Sequence, residues 1–287
     1  MSKSWSIFAA VMIAWPAFGA PVRSGAVEAE LVPEVESIVP GRPFAVALRL
    51  QMDPPWHTYW INPGDSGLAP RLNWLLPEGF SAGELLFPPP EAIPTPPFMT
   101  YGFESEVWLL STITPPEKMD TDSMVLKAEA SWLVCNEVCV PGSASLELRL
   151  PVRAGAAKPH PVHAAQIAAA RARLPEPAAG WQFCVRHEKG LYHLAVIPPV
   201  GTSGDIESAA FFPFRNDMIQ HSAPQNWRRR EKGGTLVLVP ADPAAPPARM
   251  SGVLVIDHQD SRRALHVEAD FPGTETPGVF NKERNTP

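Results

Sequence analysis

The chain has 287 residues, 45% of them hydrophobic, and a formal net charge of −6. That length allows two domains of ordinary size, each with its own core, and the acidic balance argues against a nucleic-acid partner. The 35 prolines, about twice ordinary usage, argue against a protein built on long helices.

The N-terminus reads as an export signal. Lys3 gives a positive start, Ile7 to Trp15 is an apolar run, and Ala17 and Gly19 are the small residues of a cleavage region, which sets residues 1–19 apart as a signal peptide. The run is short for a membrane span. The expected mature protein is soluble and exported, in an oxidising compartment where disulfides persist.

Val27 to Leu31 and Phe44 to Leu50 alternate apolar and polar or small residues, with Pro40-Gly41 between them, and read as the first strands of a sheet. Trp56-His57-Thr58-Tyr59-Trp60 is an aromatic strand, and Asn62 to Gly67 is a turn cluster. His57 stands among aromatics without a second histidine nearby, the setting of a packed histidine. Leu72-Asn73-Trp74 starts another short strand. The proline-dense run from Phe87 to Phe98 lacks ladder donors and reads as a stiff loop. Tyr101-Gly102-Phe103 follows, then a strand from Val107 to Leu110.

Leu126 to Val134 has period two, with Leu126, Ala128, Ala130, Trp132 and Val134 on one side and Lys127, Glu129, Ser131, Leu133 and Cys135 on the other. Leu146, Leu148 and Leu150 repeat the pattern after Cys139. The chain has three cysteines, and two of them end and begin these strands. Four positions along an extended strand span about 13 Å, whereas a disulfide needs Cα atoms within about 7 Å. If Cys135 and Cys139 bond, the chain must reverse at Asn136-Glu137-Val138. Alternation places Cys135 on the side of Lys127 and Glu129, so the pair is expected to be reachable from solvent.

From Pro151 the composition shifts. Ala164 to Leu174 is alanine- and arginine-rich and free of glycine and proline, the best helix of the mature chain. Pro175-Glu176-Pro177 stops it. Beyond it, segments at Trp181–Val185, Leu191–Val196, Thr235–Val239, Gly252–Ile256 and Ala264–Glu268 read as strands of a second sandwich. The basic run Arg228-Arg229-Arg230 reads as a solvated strand end. The expected fold is all-β: two β-sandwiches, at 27–152 and 180–270, joined by a linker with a short helix at 153–179 and followed by a loose tail at 271–287.

Three chemistries compete at Cys135 and Cys139. Thiol–disulfide exchange needs an attacking thiolate and a second, resolving cysteine, and no cofactor. Cu(I) binding draws on soft thiolates, while a zinc site needs four ligands, of which Cys184 and His187 are the only further pair. A structural disulfide in a binding module needs neither. Cys184, the odd cysteine, reads as a free thiol.

Trp56-His57-Thr58-Tyr59-Trp60, Asn62 to Gly67, Tyr101-Gly102-Phe103-Glu104 and Trp132 to Cys135 with Cys139-Val140-Pro141-Gly142 occur in one order. Together they resemble the periplasmic N-terminal region of the DsbD/ScsB family of thiol:disulfide interchange proteins, or protein-disulfide reductases. The resemblance covers Val27 to Val152, and Trp181 to Asp270 looks like the second sandwich of the ScsB-like members. It implies immunoglobulin-like sandwiches, no cofactor and no metal, with Cys135 and Cys139 as the redox pair and Cys139 as the attacking residue. It implies a cap loop as well, with Phe98, Met99 and Tyr101 as candidate covers. Family members continue into a membrane domain and a thioredoxin-like domain, neither of which follows here. Either a separate membrane-embedded thiol reductase or thioredoxin-like protein is then the electron donor, with periplasmic disulfide proteins as acceptors, or the relay role is lost and the chain only binds partners.

Overall fold

A computed structural model describes residues 19–202, 205–259 and 261–272. The signal peptide expected at 1–19 lies outside the described residues except for Gly19, and so does the expected tail except for Phe271 and Pro272.

In chain order the strands of the first half are β1 (Val22–Ser24), β2 (Val27–Pro33), β3 (Phe44–Met52), β4 (His57–Gly64), β5 (Arg71–Leu75), β6 (Ser81–Ala82), β7 (Glu91–Thr95), β8 (Phe98–Glu104), β9 (Glu106–Thr114), β10 (Ser123–Cys135) and β11 (Cys139–Pro151). One sheet runs β1-β2-β3-β9-β6, and the other β11-β10-β4-β8-β7 with β5 also on β10. Helix α1 (Ala164–Ala172) comes next. The second half holds β12 (Gln182–Glu188), β13 (Leu191–Ile197), β14 (Ser208–Pro213), β15 (Asn226–Arg229), β16 (Gly234–Leu238), β17 (Arg249–His258) and β18 (Ser261–Asp270). These form sheets β12-β13-β16-β15 and β14-β17-β18. The all-β, immunoglobulin-like architecture and the helical link agree with the sequence.

Period two dictates the first core. Along β10, Leu126, Ala128, Ala130, Trp132 and Val134 are buried, and along β11 Ala144, Leu146, Leu148 and Leu150 are buried, while the residues between them face outward. They meet Leu31, Val46, Leu48, Leu50, Leu109 and Ile113 of the facing sheet. Helix α1 adds a third layer, inserting Ile167 among Val32, Ala45, Ala47 and Leu110 on the outer side of that sheet.

The proline-dense run behaves differently from the loop expected of it. Part of it pairs as β7 with β8, from Glu91 opposite Gly102 to Thr95 opposite Phe98. Because β7 is the edge of its sheet, Pro94 has no neighbour on its far side to donate to.

The two halves share packing. Phe212, Val253, Val255 and Ala264 of the second half belong to the first core. Phe212 meets the edges of Tyr101 and Trp60, with ring centroids 5.0 and 6.2 Å apart. Asn62 donates its Nδ2 to the carbonyl of Pro213 at 2.8 Å.

Candidate functional site at the Cys135 hairpin

The chain reverses at Asn136-Glu137-Val138, and Cys135 and Cys139 become cross-strand partners. They form a disulfide with Cα atoms 4.2 Å apart. Three residues down the same hairpin, Trp132 faces Gly142. A Cβ on Gly142 would lie 2.3 Å from the indole nitrogen, so this position must stay bare for Trp132 to lie flat in the core. The glycine of the Cys-Val-Pro-Gly segment thus serves the strand that carries Cys135.

Across the sheet, Cys135 pairs with His57 of β4, and His57 pairs with Glu104 of β8. Cross-strand partners share a face, so Cys139, Cys135, His57 and Glu104 form one row on the outer side. Tyr59, two positions along β4, points the same way. Its phenol donates to Cys135 Sγ at 2.6 Å and reaches Cys139 Sγ at 3.4 Å. Burial pushes the Tyr59 pKa upward, which keeps the phenol protonated as a donor.

The expectation that both sulfurs reach solvent is corrected. Cys135 does sit on the outer side of its strand, yet it is only 3% exposed, with His57 at 4% and Tyr59 at 1%. Cys139 is exposed, between the exposed Val138 and Val140. Tertiary folding causes the difference. The turn cluster after β4 folds back over the outer face, bringing Gly67 (φ +123°) against the Tyr59 ring, where a Cβ would lie 2.1 Å from it. That cluster is tied to β8, since Asp65 N–H donates to the Met99 carbonyl at 3.0 Å and the Asp65 carboxylate accepts from Met99 N–H at 2.7 Å. The cover of Cys135 is therefore Tyr59 with the 62–67 loop above it.

The cap residues expected from the resemblance lie elsewhere. Tyr101 is 1% exposed and points inward on β8, its neighbours being Phe212 and His221. Its register is one residue from Gly102, the partner of Tyr59, so its side chain takes the opposite face from Cys135. Met99 shares the inward side. Phe98 faces outward and is 53% exposed, but it stands at the far end of β8, six residues or about 20 Å from Glu104. It is Glu104 that aligns with Cys135. The signal for Tyr59 was in the sequence: period two from His57 places Tyr59 beside the row of Cys135, once β4 and β10 are known to pair.

Electrostatically the site is weakly acidic. Glu104 and Glu137 are exposed, and neither Lys nor Arg occurs in the row. Burial pushes the His57 pKa down, against a weaker upward pull from Glu104. Cys184 is a free, exposed thiol on β12. Among the described residues no group of three or more His, Cys, Asp or Glu side chains is placed to hold a metal ion, and no helix is long and apolar enough to cross a membrane.

Residues 28–151 match the family described as thiol:disulfide interchange protein DsbD, N-terminal. No curated protein sequence matches the chain. Among solved structures, the N-terminal periplasmic domain of ScsB from Proteus mirabilis aligns over 88% of this chain and 98% of its own length, with TM-score 0.64 and 16% identity. That likeness concerns the fold and spans both sandwiches. A protein of unknown function from Porphyromonas gingivalis W83 covers 86% of the chain and all of its own length, but at TM-score 0.25 and 13% identity. With its hairpin disulfide and immunoglobulin-like frame, the region 28–151 of this chain is similar to the N-terminal domain of thiol:disulfide interchange protein DsbD.

Proposed function

We propose that Cys135 and Cys139 cycle between disulfide and dithiol, carrying two electrons from a thiol donor to oxidised periplasmic proteins. The observation that carries this reading is the asymmetry of the pair: Cys139 is open to a partner, while Cys135 is buried under a phenol that donates to its sulfur. A donor thiolate attacks Cys139 Sγ. The Cys135–Cys139 bond breaks, and its electron pair passes to Cys135 Sγ, where Tyr59 Oη donates a hydrogen bond. The donor's second thiolate then attacks the donor sulfur of the mixed disulfide and expels Cys139. The reduced site takes up two protons, and the donor leaves as a disulfide. In the second half-cycle Cys139 attacks the acceptor disulfide and Cys135 resolves the mixed species. The exposed apolar side chains of Val138 and Val140 flank the attacking sulfur and suit an apolar partner surface.

The donor in this reading is a membrane-embedded thiol reductase or a thioredoxin-like protein, and the signal-like N-terminal sequence supports an exchange in the periplasm. A Cys135→Ala chain is expected to retain partners as mixed disulfides through Cys139. A Cys139→Ala chain is expected to retain none. A reduction potential below about −300 mV, the range of inert structural disulfides, together with no captured partner, would sink the reading.

A further inference from the structure

The exchange uses Cys135, Cys139 and Tyr59 and leaves His57 without a task. His57 is the cross-strand partner of Cys135 on the same face of the sheet. Its ring stands edge-on to Tyr59, with centroids 5.6 Å apart. It is 4% exposed, and its Nε2 is buried with no hydrogen-bond partner among the described residues. An unpaired buried polar atom costs about 1–3 kcal/mol and calls for a reason.

A packing role alone does not supply one, because an apolar ring fills the same space without that cost. The reason lies in the state that the oxidised protein does not show. A disulfide is neutral and a poor acceptor. When it opens, a negative charge appears on the sulfur beside His57, in surroundings that have lost most of their water. An opposite charge within about 4–6 Å favours the ionised form of both partners.

We propose that His57 is the charge partner of Cys135 in the reduced protein: opening the disulfide places one of the two incoming protons on His57, and Cys135 is held as a thiolate. This rests on the pair being a reducible couple, as in the exchange reading. The balance is complete. The donor dithiol gives two electrons and two protons; one proton goes to Cys139 Sγ and the other to the His57 imidazole, while the electrons reside on the two sulfurs.

The titratable groups placed around His57 are compatible with this, including Asp65 of the covering loop, whose carboxylate is engaged by Met99 N–H. On β4 itself, Tyr59 stays protonated and donates to Cys135. On β8, Glu104 pulls His57 toward its cationic form. On β10 and the following turn are Cys135, Cys139 and the exposed Glu137. In the oxidised protein burial outweighs Glu104 and keeps His57 neutral. Reduction reverses that balance. His57 is thus a proton-holding residue that acts on Cys135, and it makes the buried sulfur a ready resolving nucleophile without a lysine or arginine nearby.

The test is a pH titration of the His57 imidazole by NMR in the full chain, oxidised and then chemically reduced with a phosphine. The expected result is a midpoint higher in the reduced protein by about one pH unit or more, a tenfold gain in proton affinity. The upward shift should survive in Cys139→Ala, which keeps Cys135 as a free sulfur, and vanish in Cys135→Ala. In reduced His57→Gln, thiolate ultraviolet absorbance should appear only at higher pH than in the wild type. The wild-type titration needs no substitution, so a poorly folding variant does not spoil the test. An equal midpoint in both redox states, or a shift that persists in Cys135→Ala, overturns the proposal. If the midpoint holds still while Cys139 captures partners, the exchange reading stands and the His57 role falls. If the midpoint moves but no partner is captured, the coupling stands and the exchange reading falls.

Discussion

Each sandwich is built on one long antiparallel hairpin, and the two hairpins are treated differently. In the first, β10 and β11 pair over thirteen positions, and from Leu126 to Trp132 and Ala144 to Leu150 one face lies in the core and the other turns outward. In the second, β17 pairs with β18 over ten positions, and Val253, Leu254, Val255 and Ile256 are all buried. Leu254 and Ile256 fill the core of their own sandwich, while Val253 and Val255 join the core of the first. A strand covered on both faces holds two bodies together. A strand covered on one face leaves a surface on which chemistry can be placed. The cysteines stand at the end of the second kind, and the brace is the first kind.

The sharpest way to break that comparison is to place the same charge on each hairpin. Val255→Asp puts an unpaired carboxylate into the shared core and should cost several kcal/mol, enough to unfold a marginal domain. Ser143→Asp, on the exposed face of β11, should change stability by no more than about 0.5 kcal/mol. Denaturant unfolding of both variants checks this. Similar losses at the two sites would show that β17 is not a doubly covered brace.

Gly67→Ala probes the cover on the reactive face. The substitution asks for a strained φ of +123° and a Cβ inside the Tyr59 ring, an effect of roughly 1–3 kcal/mol. Its expected readout is faster opening of the disulfide by a small thiol, because Tyr59 must move. An unchanged rate would mean that the 62–67 loop does not shield Cys135.

Tyr59→Phe removes the hydroxyl that donates to Cys135 Sγ. Loss of one such bond is worth about 0.5–1.5 kcal/mol. If that falls on the departing sulfur, chemical reduction slows by roughly fivefold. Stability lost with no change in rate would assign the phenol to packing alone.

The smallest effect is a pH dependence. Burial holds the folded pKa of His57 below its ordinary 6.5. Above pH 6.5 His57 is neutral in both folded and unfolded chains, and its contribution to stability is fully present. As pH falls below that value, the unfolded chain takes up a proton that the folded chain resists, and stability declines toward the folded pKa. Burial lowers His160 as well, so part of the decline is its own. The difference between the oxidised wild type and His57→Gln isolates His57. Parallel stability curves from neutral pH to pH 5 would remove the claim that its neutral form is favoured.

Local pattern was enough to determine much of this protein. Period two at Leu126–Val134 and Leu146–Leu150 specifies strands, because alternate side chains of an extended chain must face opposite ways. The four-residue step from Cys135 to Cys139 requires a hairpin if the sulfurs are to bond. The alanine-rich run before Pro175 specifies the linking helix, realised as α1. The same alternation put Cys135 on the outward side of β10, where it is.

Only the tertiary structure decided what outward means there. A strand pattern says which face a side chain takes, but not what later folds over that face. Cys135 is buried because β4 pairs beside it and a loop bent at Gly67 presses Tyr59 onto it, contacts between residues 76 apart in the chain. Tyr101 sits in a motif beside the site in sequence, yet the register of β8 against β4 turns it to the opposite face, into the second sandwich. Register between distant strands is fixed by packing of whole faces, and a one-residue step inverts the result; no local stretch contains that information.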